Sequence, residues 1–571
     1  MQWRKTPDPN RETVDALVQE LIVPMPIAQL LAQRGISDFD SAKHFFRPQW
    51  SQLHDPFLMQ DMDAAVQRIQ QAIEAGEAVM VFGDYDVDGT TAVALVTSYL
   101  KYKITQLRPY VPDRYAEGYG ISKKGIETAK EEGITLIIAL DCGIKAIEQV
   151  AYANELGIDF ILCDHHLPGA ELPDAVAVLD PKREDCPYPF KELCGCGIGF
   201  KLIQALQNKL GLPESELTSY LDLVATAIAA DIVPLEGENR TLTFLGLQQL
   251  QTDPRIGFQF FIKDLKRPLR VTDLVFVIAP RINAAGRMDQ GLTAVELLMS
   301  TDKETALPIA RSIEFFNTER KSTDERITKE ALQQIELEEA VDNNSTVVYH
   351  PSWHKGVIGI VASRLIEVYY RPTVVLTQSE EVLAGSVRSV SGFDVYQALE
   401  ACKDSMIQFG GHKYAAGLTL QPEQLDAFKT AFENYVAEHI LPEQKTPSLA
   451  YDLEVSFRDL NAKLLRILNQ MAPFGPKNMR PVFVTHHCKD AGGSRVVGKD
   501  KTHLRLDVVD GSSSRFSGIG FGLGQLLSEV KLQKPFSVLY TLEENEFNGV
   551  TDLQLRIKDL KFEAQKKPPP W

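Results

Sequence analysis

Gly83-Asp84-Tyr85-Asp86-Val87-Asp88-Gly89 and Asp164-His165-His166 decide how this 571-residue chain is read. Each stretch follows an apolar run with the character of a buried parallel strand, residues 78–82 and 158–163, and each is followed by a break. Residues 136–140 run in the same way into Asp141-Cys142-Gly143, and the apolar run 223–230 ends at Asp231, a fourth strand end of the same kind. In an open α/β sheet, ligand groups collect at the carboxyl ends of strands. A lone Asp in such a place commonly caps the next helix, and for Asp141 alone that reading is as good as a functional one. Four such sites together repel one another unless cations neutralise them. Hard divalent metals held there can drive hydrolysis of a phosphate ester.

The ligand types narrow the metal. Oxygens and one or two imidazole nitrogens, without a thiolate cluster, suit Mn²⁺ or Mg²⁺ better than structural zinc. If their segment stays extended, Asp86 and Asp88 project to one side and can each face a metal. Asp141 is placed to bridge, His165 and Asp231 to complete the shells, and His166 to stand near the scissile phosphate. Cys194-Gly195-Cys196 with Cys186 lacks the paired spacing of a zinc site.

The formal net charge of -17 and the pI of about 5.2 argue against nonspecific coating of duplex DNA, although a local basic groove is compatible with both. The 44% hydrophobic content supports several cores. No apolar run is long enough to span a bilayer, and no apolar stretch follows the charged N-terminus, so neither a membrane segment nor a signal peptide is expected. Seven scattered cysteines suit a reducing, cytoplasmic setting.

The pattern divides the chain into a helical N-terminal extension (1–50), a parallel α/β domain (51–300), a connecting helix (301–342), a second α/β domain (343–445) and a C-terminal β-barrel (446–571). In the connecting segment, Ile309, Ile313 and Phe316 begin an apolar stripe that Ile327, Leu332 and Ile335 continue. One helix of on the order of 50 Å and two helices broken near Ser322 fit it almost equally. Residues 442–447 read as a linker. Several short strands with Gly-rich turns follow, including residues 482–484, 504–509, 537–540 and 553–557, and suit a small OB-fold-like barrel. Residues 565–571 are expected to be disordered.

The two acidic motifs resemble the signatures of the DHH phosphoesterase superfamily, and the likeness extends over most of residues 1–560. Pro112-Asp113-Arg114-Tyr115, Glu117-Gly118-Tyr119-Gly120, residues 229–235 and residues 280–287 resemble segments of its single-strand-specific 5′→3′ DNA exonuclease branch. Residues 353–364, Gly385-Ser386-Val387-Arg388-Ser389 and residues 410–417 resemble the DHH-associated domain. The resemblance implies a parallel-sheet DHH domain, a long helix, a DHH-associated α/β domain and an OB-fold-like nucleic-acid-binding barrel. It implies two divalent ions held by Asp86, Asp88, Asp141, His165 and Asp231, with Asp84 in or behind the ligand set, and catalysis by His166 and Asp141. The implied activity is release of mononucleotides from single-stranded DNA in repair and recombination by a two-metal mechanism. By family analogy the partners are a single-strand binding protein and a RecQ-type helicase, and the chain is a monomer.

For phosphate or DNA contact the candidates are Arg114, Arg281, Asn283, Arg287, Ser386, Arg388, Gly411 and His412. Arg388 offers a bidentate fork, Ser386 and His412 offer donors, and Gly411 permits close backbone approach. Two competing activities share the motifs: a phosphodiesterase for short oligonucleotides or cyclic dinucleotides, whose relatives are shorter, and a non-catalytic scaffold, whose relatives lose metal ligands. In the barrel, residues 477–481 depart from the usual Gly-Asn-Pro-Glu-Pro. Phe547 reads either as a base-stacking ring or as core, and His486-His487 as an exposed strand face.

Overall fold

Val79–Gly83 is apolar and buried throughout, as a strand covered on both faces requires. In the computed structural model, which describes residues 1–288, 290–547 and 550–562, it is β1 of a five-stranded parallel sheet. β2 (Leu107–Tyr110), β3 (Leu136–Leu140), β4 (Asp159–Cys163) and β5 (Ala177–Leu179) complete the sheet in the order β2-β1-β3-β4-β5. Gly83 pairs with Leu140, and Leu140 with Cys163. The next residues, Asp84, Asp141 and Asp164, therefore emerge together at one edge. Helices α1 (Val87–Leu100), α2 (Gly195–Lys209) and α3 (Leu221–Ala230) pack on one another and on the sheet. α1 is buried along its whole length and so needs no polar face.

α4 (Ala279–Met288) leads through a short helix to α5 (Lys303–Leu337). α5 is one unbroken helix of 35 residues, about 50 Å long, so the break near Ser322 does not occur. Its buried stripe is apolar at both ends and polar in the middle, at Asn317, Arg320 and Asp324.

The second α/β region carries β6 (Thr346–Tyr349), α6 (Ile358–Val368), β7 (Thr373–Ser379), β8 (Val382–Arg388), β9 (Gln408–His412) and β10 (Ala415–Leu420). Its sheet runs β9-β10-β8-β7-β6, parallel only between β6 and β7. Residues 54–233 and 237–447 form one compact unit.

The other unit joins residues 1–53 and 234–236 to the chain from Ser448 onward. Its sheet contains β11 (Leu453–Glu454), β12 (Phe483–Asp490), β13 (Arg495–Val497), β14 (His503–Val509), β15 (Arg515–Gly520), β16 (Phe536–Phe547) and β17 (Val550–Phe562). The order is β11-β12-β16-β17-β15-β14-β13, and β12 also pairs with β14, which closes five strands into an OB-type barrel. The segment expected to be a helical extension does more than extend. Gln2–Lys5 is a strand paired with Ser448–Tyr451, the Trp3 indole donates to Asp559 at 2.8 Å, and Leu17, Ile27, Leu30 and Leu31 share one core with Leu506, Phe536 and Val538. The expected linker contains a single helical turn, Pro442–Gln444. His486 and His487 are exposed where the pairing of β12 with β16 shifts register. Residues 565–571 and the Phe547 side chain lie outside the described residues.

Candidate active site and phosphate-binding face

The first motif does not stay extended. Asp86 is the N-cap of α1, its Oδ1 accepting from the amides of Asp88 (2.9 Å) and Gly89 (3.2 Å). Gly89 is required here, because a Cβ would fall 2.4 Å from the Asp84 carbonyl oxygen. Asp88 sits in the first turn and points at the start of α2. Its Oδ2 accepts from Gly195 N at 2.6 Å and its Oδ1 from Cys196 N at 2.7 Å. Strand alternation therefore does not aim Asp86 and Asp88; a helix start does.

Asp231 needs a second correction. The run before it is helix α3, not a strand, and Asp231 caps its C-terminus. A helix buried on all sides carries the same continuous apolar pattern as a buried strand.

Four of the candidate side chains still converge. His165 Nε2 lies 3.2 Å from Asp141 Oδ1, 3.7 Å from Asp231 Oδ2 and 3.8 Å from Asp88 Oδ2. Two overlapping sets could each hold an ion: Asp88, His165 and Asp231, and Asp141, His165 and His166. Asp141 is reached through a left-handed backbone, φ 61°, a strained conformation of a kind that collects at functional sites. Burial, then the charges of Asp88 and the other acids, raises the Asp141 carboxyl well above its ordinary range. Burial and neighbouring acids push Asp84 and Asp231 each up to about 8, and burial raises Asp88. Asp84 Oδ2 and His165 Nδ1 are buried with no hydrogen-bond partner among the described residues.

The sequence reading quoted Asp164, Tyr119 and Gly195 in its motifs but gave none of them a role in the site. Asp164 Oδ1 holds His166 Nδ1 at 2.7 Å, while its Oδ2 accepts from Ile144 N at 2.8 Å. Burial disfavours the His166 imidazolium, but the bond and charge of Asp164, then Asp231 and Asp88, outweigh it and raise its pKa. The Tyr119 hydroxyl lies 3.2 Å from His166 Nε2 and 3.3 Å from the Asp141 carbonyl oxygen. Gly195 touches Asp141 so closely that a Cβ would lie 2.5 Å from the Asp141 Cβ. The Cys194-Gly195-Cys196 stretch thus matters through its glycine. Both thiols are buried and free, and burial pushes them well up.

A second cluster is cationic. Arg287 Nη1 donates to the Gly356 carbonyl at 2.9 Å. Burial, then Arg114, with Arg320 and Arg388 adding to it, pushes Arg287 down to about 10. Arg114 lies 4.6 Å over the Tyr85 ring, and Arg388 is held down by burial and by Arg114. Arg320, in the polar stretch of α5, is a member that the sequence reading missed; the break in the apolar stripe was its only signal.

Arg388 pairs through Ala415 with His412, and Ser386 through Gly417 with Gly410, so these rows share one sheet face. The start of α6 abuts them, since a Cβ on Gly359 would lie 2.9 Å from Ser386 Oγ and 3.0 Å from Arg388 Nη2. Gly411 has a different reason from ligand approach. Its φ is 142°, and a Cβ would lie 2.5 Å from the Ala415 carbonyl oxygen in its own hairpin. Arg281 is drawn away from the cluster: Glu314 holds its Nε at 2.6 Å and Val277 O its Nη1 at 2.7 Å. Asn283 lies half-buried on α4, and His412 is exposed.

Comparison with known proteins gives this geometry a lineage. The chain matches the DHH family, N-terminal domain, over residues 78–228, the DHHA1 domain over 342–438 and the RecJ OB domain over 451–559. It is 37% identical over 568 residues to the single-stranded-DNA-specific exonuclease RecJ of Bacillus subtilis, covering 98% of this chain and 70% of that one. It is 33% identical to RecJ of Dickeya dadantii, covering 98% and 99%. Among solved structures, RecJ from Thermus thermophilus in complex with Mn²⁺ superposes with a TM-score of 0.85 at 26% identity, over 99% of this chain and 80% of that one. The Mg²⁺ complex gives 0.79 at 25%, over 99% and 79%. With its three domain matches in order and relatives 33–37% identical over 98% of its own length, the chain belongs to the RecJ family.

Proposed function

We propose that this chain is a single-stranded-DNA-specific exonuclease that hydrolyses phosphodiester bonds from the 5′ end, releases mononucleotides and serves DNA repair and recombination. The observation that carries the reading is the convergence of Asp88, Asp141 and Asp231 on His165. The donor set fits two divalent ions, Mn²⁺ or Mg²⁺: oxygens with one or two imidazoles, carboxyls with raised pKa values, and buried atoms of Asp84 and His165 that lack partners. Asp88, Asp141, His165 and Asp231 would hold the ions, with Asp86 and Asp84 beside them. When bound, such ions supply Lewis acidity that neutralises phosphate charge and makes water a better nucleophile.

The residues of the chain divide the remaining work. His166, whose Nδ1 is held by Asp164 and whose Nε2 lies beside the Tyr119 hydroxyl, would serve the phosphate as a donor, and Asp164 favours its protonated form. Gly195 and Cys196 amides orient Asp88 and leave its carboxylate rigid. Arg114, Arg287 and Arg388, with Ser386, receive the terminal phosphate and so choose which end enters. No helix among the described residues is long and apolar enough to cross a membrane.

The test offers 5′-labelled and 3′-labelled single strands, the matching duplex and cyclic dinucleotides, with Mn²⁺ or Mg²⁺. The reading expects labelled mononucleotide at once from the 5′ label and progressive shortening from the 3′ label. Degradation from the 3′ end, or a preference for cyclic dinucleotides, refutes it.

A further inference from the structure

We propose that Glu117 is a positioning residue that couples the acidic centre to the arginine cluster. It pins the strap of residues 112–120, and the strap reaches both clusters. This coupling rests on the reading of those clusters as metal and phosphate sites.

The Glu117 side chain is only 4% exposed, and both of its oxygens are engaged. Oε1 accepts from Asp113 N at 2.9 Å. Oε2 accepts from the Tyr110 hydroxyl at 2.9 Å and the Ser122 hydroxyl at 2.5 Å. Tyr110 is the last residue of β2 and stacks on Phe82 of β1, while Ser122 caps the helix Lys123–Glu131. One buried carboxylate therefore joins the strap to a strand and to a helix of the parallel-sheet domain. Within the strap, Asp113 O accepts from Glu117 N at 2.9 Å, and Asp113 Oδ1 accepts from Tyr115 N and Ala116 N, each at 2.8 Å. The turn is thus closed on itself and hangs from Glu117. A buried carboxylate with three donors is costly to disturb, because each donor left behind is buried without its partner.

Glu117 makes these bonds away from both clusters, yet its neighbours in the strap touch each of them. Toward the acids, Gly120 N donates to Asp84 Oδ1 at 3.4 Å, and the Tyr119 hydroxyl stands 3.2 Å from His166 Nε2 and 3.3 Å from the Asp141 carbonyl oxygen. Positive φ at Gly118 and Gly120, 85° and 83°, turns the chain on either side of Tyr119. Toward the arginines, the Tyr115 hydroxyl donates to the Arg287 carbonyl at 2.6 Å, and its ring meets His354 of the second α/β region edge-on at 6.2 Å. Arg114 acts on both sides. Its charge favours ionised Asp84 and disfavours the charged forms of Arg287 and Arg388. Arg114 and Tyr119 flank the same anchored turn, so slack at Glu117 moves them together. The acids and the arginines would then lose alignment at once, although neither has been substituted.

The experiment uses the full chain and two binding readouts that need no cleavage. One is Mn²⁺ by calorimetry; the other is a 5′-phosphorylated oligothymidylate against its 5′-hydroxyl form, by fluorescence anisotropy in EDTA. Glu117→Ala should weaken Mn²⁺ binding about tenfold, as loss of support behind a metal ligand does. It should also cut the advantage of the 5′-phosphorylated strand roughly tenfold, the effect of one charge-assisted contact. Glu117→Gln keeps one acceptor oxygen, and the Tyr110 and Ser122 hydroxyls can turn to accept from its NH2, so it should recover most of both. Lys124→Ala is the control. Lys124 is 65% exposed and 3.8 Å from Glu117 Oε1, and neither affinity should change. Should Glu117→Ala fail to fold, Tyr110→Phe carries the test. It keeps the ring on Phe82, deletes one hydroxyl from Oε2 and should weaken both readouts by about two- to fivefold. A loss in one readout alone overturns the proposal, and so does a lower melting temperature with both affinities intact. Linked losses in a chain that does not cut single strands would support the coupling and overturn the exonuclease reading. Cutting by the unsubstituted chain, with both affinities unchanged in Glu117→Ala, would do the reverse.

Discussion

Gly195→Ala tests the proposed metal centre without substituting a ligand. The added methyl would lie 2.5 Å from the Asp141 Cβ, 2.7 Å from its Cα and 2.9 Å from its Oδ1. Carbon atoms rest at roughly 3.5–4.0 Å, so the start of α2 must retreat by about 1 Å. That retreat also stretches the amide bonds from Gly195 and Cys196 to Asp88, now 2.6 and 2.7 Å. Overpacking of this kind costs about 1–3 kcal/mol, and the better helix preference of Ala returns up to about 1 kcal/mol. A net loss of about 1–2 kcal/mol should lower the melting temperature by only about 1–3 °C, because the unfolding entropy grows with the size of the unit. The rate should suffer more, because a displacement of about 1 Å in a catalytic constellation costs on the order of a hundredfold. Gly197→Ala is the control. On the same helix its methyl meets nothing nearer than 3.4 Å, so cleavage should hold and stability should stay level or rise. Single-turnover cleavage of a labelled single strand and thermal melting, run on both variants, check the reasoning. Wild-type cleavage by Gly195→Ala, or equal losses in both variants, would refute it.

Asp141→Asn should abolish cleavage while the melting transition persists; turnover near that of the unsubstituted chain would remove Asp141 from the site. Asp164→Asn, which removes the negative charge beside His166 Nδ1 and replaces one of two acceptor oxygens with an NH2 donor, should lower single-turnover cleavage by about 10²–10⁴ with divalent-ion binding by calorimetry preserved. Arg388→Ala should weaken binding of 5′-phosphorylated strands more than Ser386→Ala, since charged hydrogen bonds contribute about 1.5–3 kcal/mol against about 1 for neutral ones; equal affinities would refute the phosphate assignment. Without metal, Asp84 and Asp231 have folded pKa values of about 8, above their unfolded values, so the stability they contribute is complete in acid and lost as pH rises through about 8. Melting in EDTA should therefore fall between pH 6 and 9, and Mn²⁺ should raise it more at pH 9 than at pH 6.

Legibility followed burial and chain locality. Three of the five parallel strands, Val79–Gly83, Leu136–Leu140 and Asp159–Cys163, were readable because each is a short apolar run followed by an acid, whereas Leu107–Tyr110, with Arg108 and Pro109, has no such pattern. α3 was misread because a helix buried on every side has no polar stripe to betray its period. Asp164 went unassigned because its task, holding His166, depends on how one strand end turns. Gly195 was hidden among cysteines, whose chemistry draws the eye, while its own importance lies in a contact with a strand 54 residues earlier. The strand Gln2–Lys5 was invisible for a related reason: its partner lies at Ser448–Tyr451, and no local pattern announces a pairing across the whole chain. Arg281 shows the opposite failure. A motif likeness marked it for phosphate, yet Glu314 on α5 takes its guanidinium.

Charge explains why the acidic centre and the arginine cluster occur together. The buried acids raise one another's pKa values because each would rather be neutral than face the others ionised. Arg287 is pushed the other way by burial and by Arg114, Arg320 and Arg388. Asp324, the carboxylate beside Arg320, is already held by Arg364 at 2.7 Å. Each cluster is thus unbalanced in a way that a ligand of opposite charge would relieve. Divalent cations relieve the acids, and a phosphate relieves the arginines. A nucleic-acid end brought to ions held by the acids would satisfy both at once, whereas an uncharged substrate would leave the arginines uncompensated. The net charge of -17 conceals this arrangement, because it sums over a surface on which the informative charges are few, local and of opposite sign.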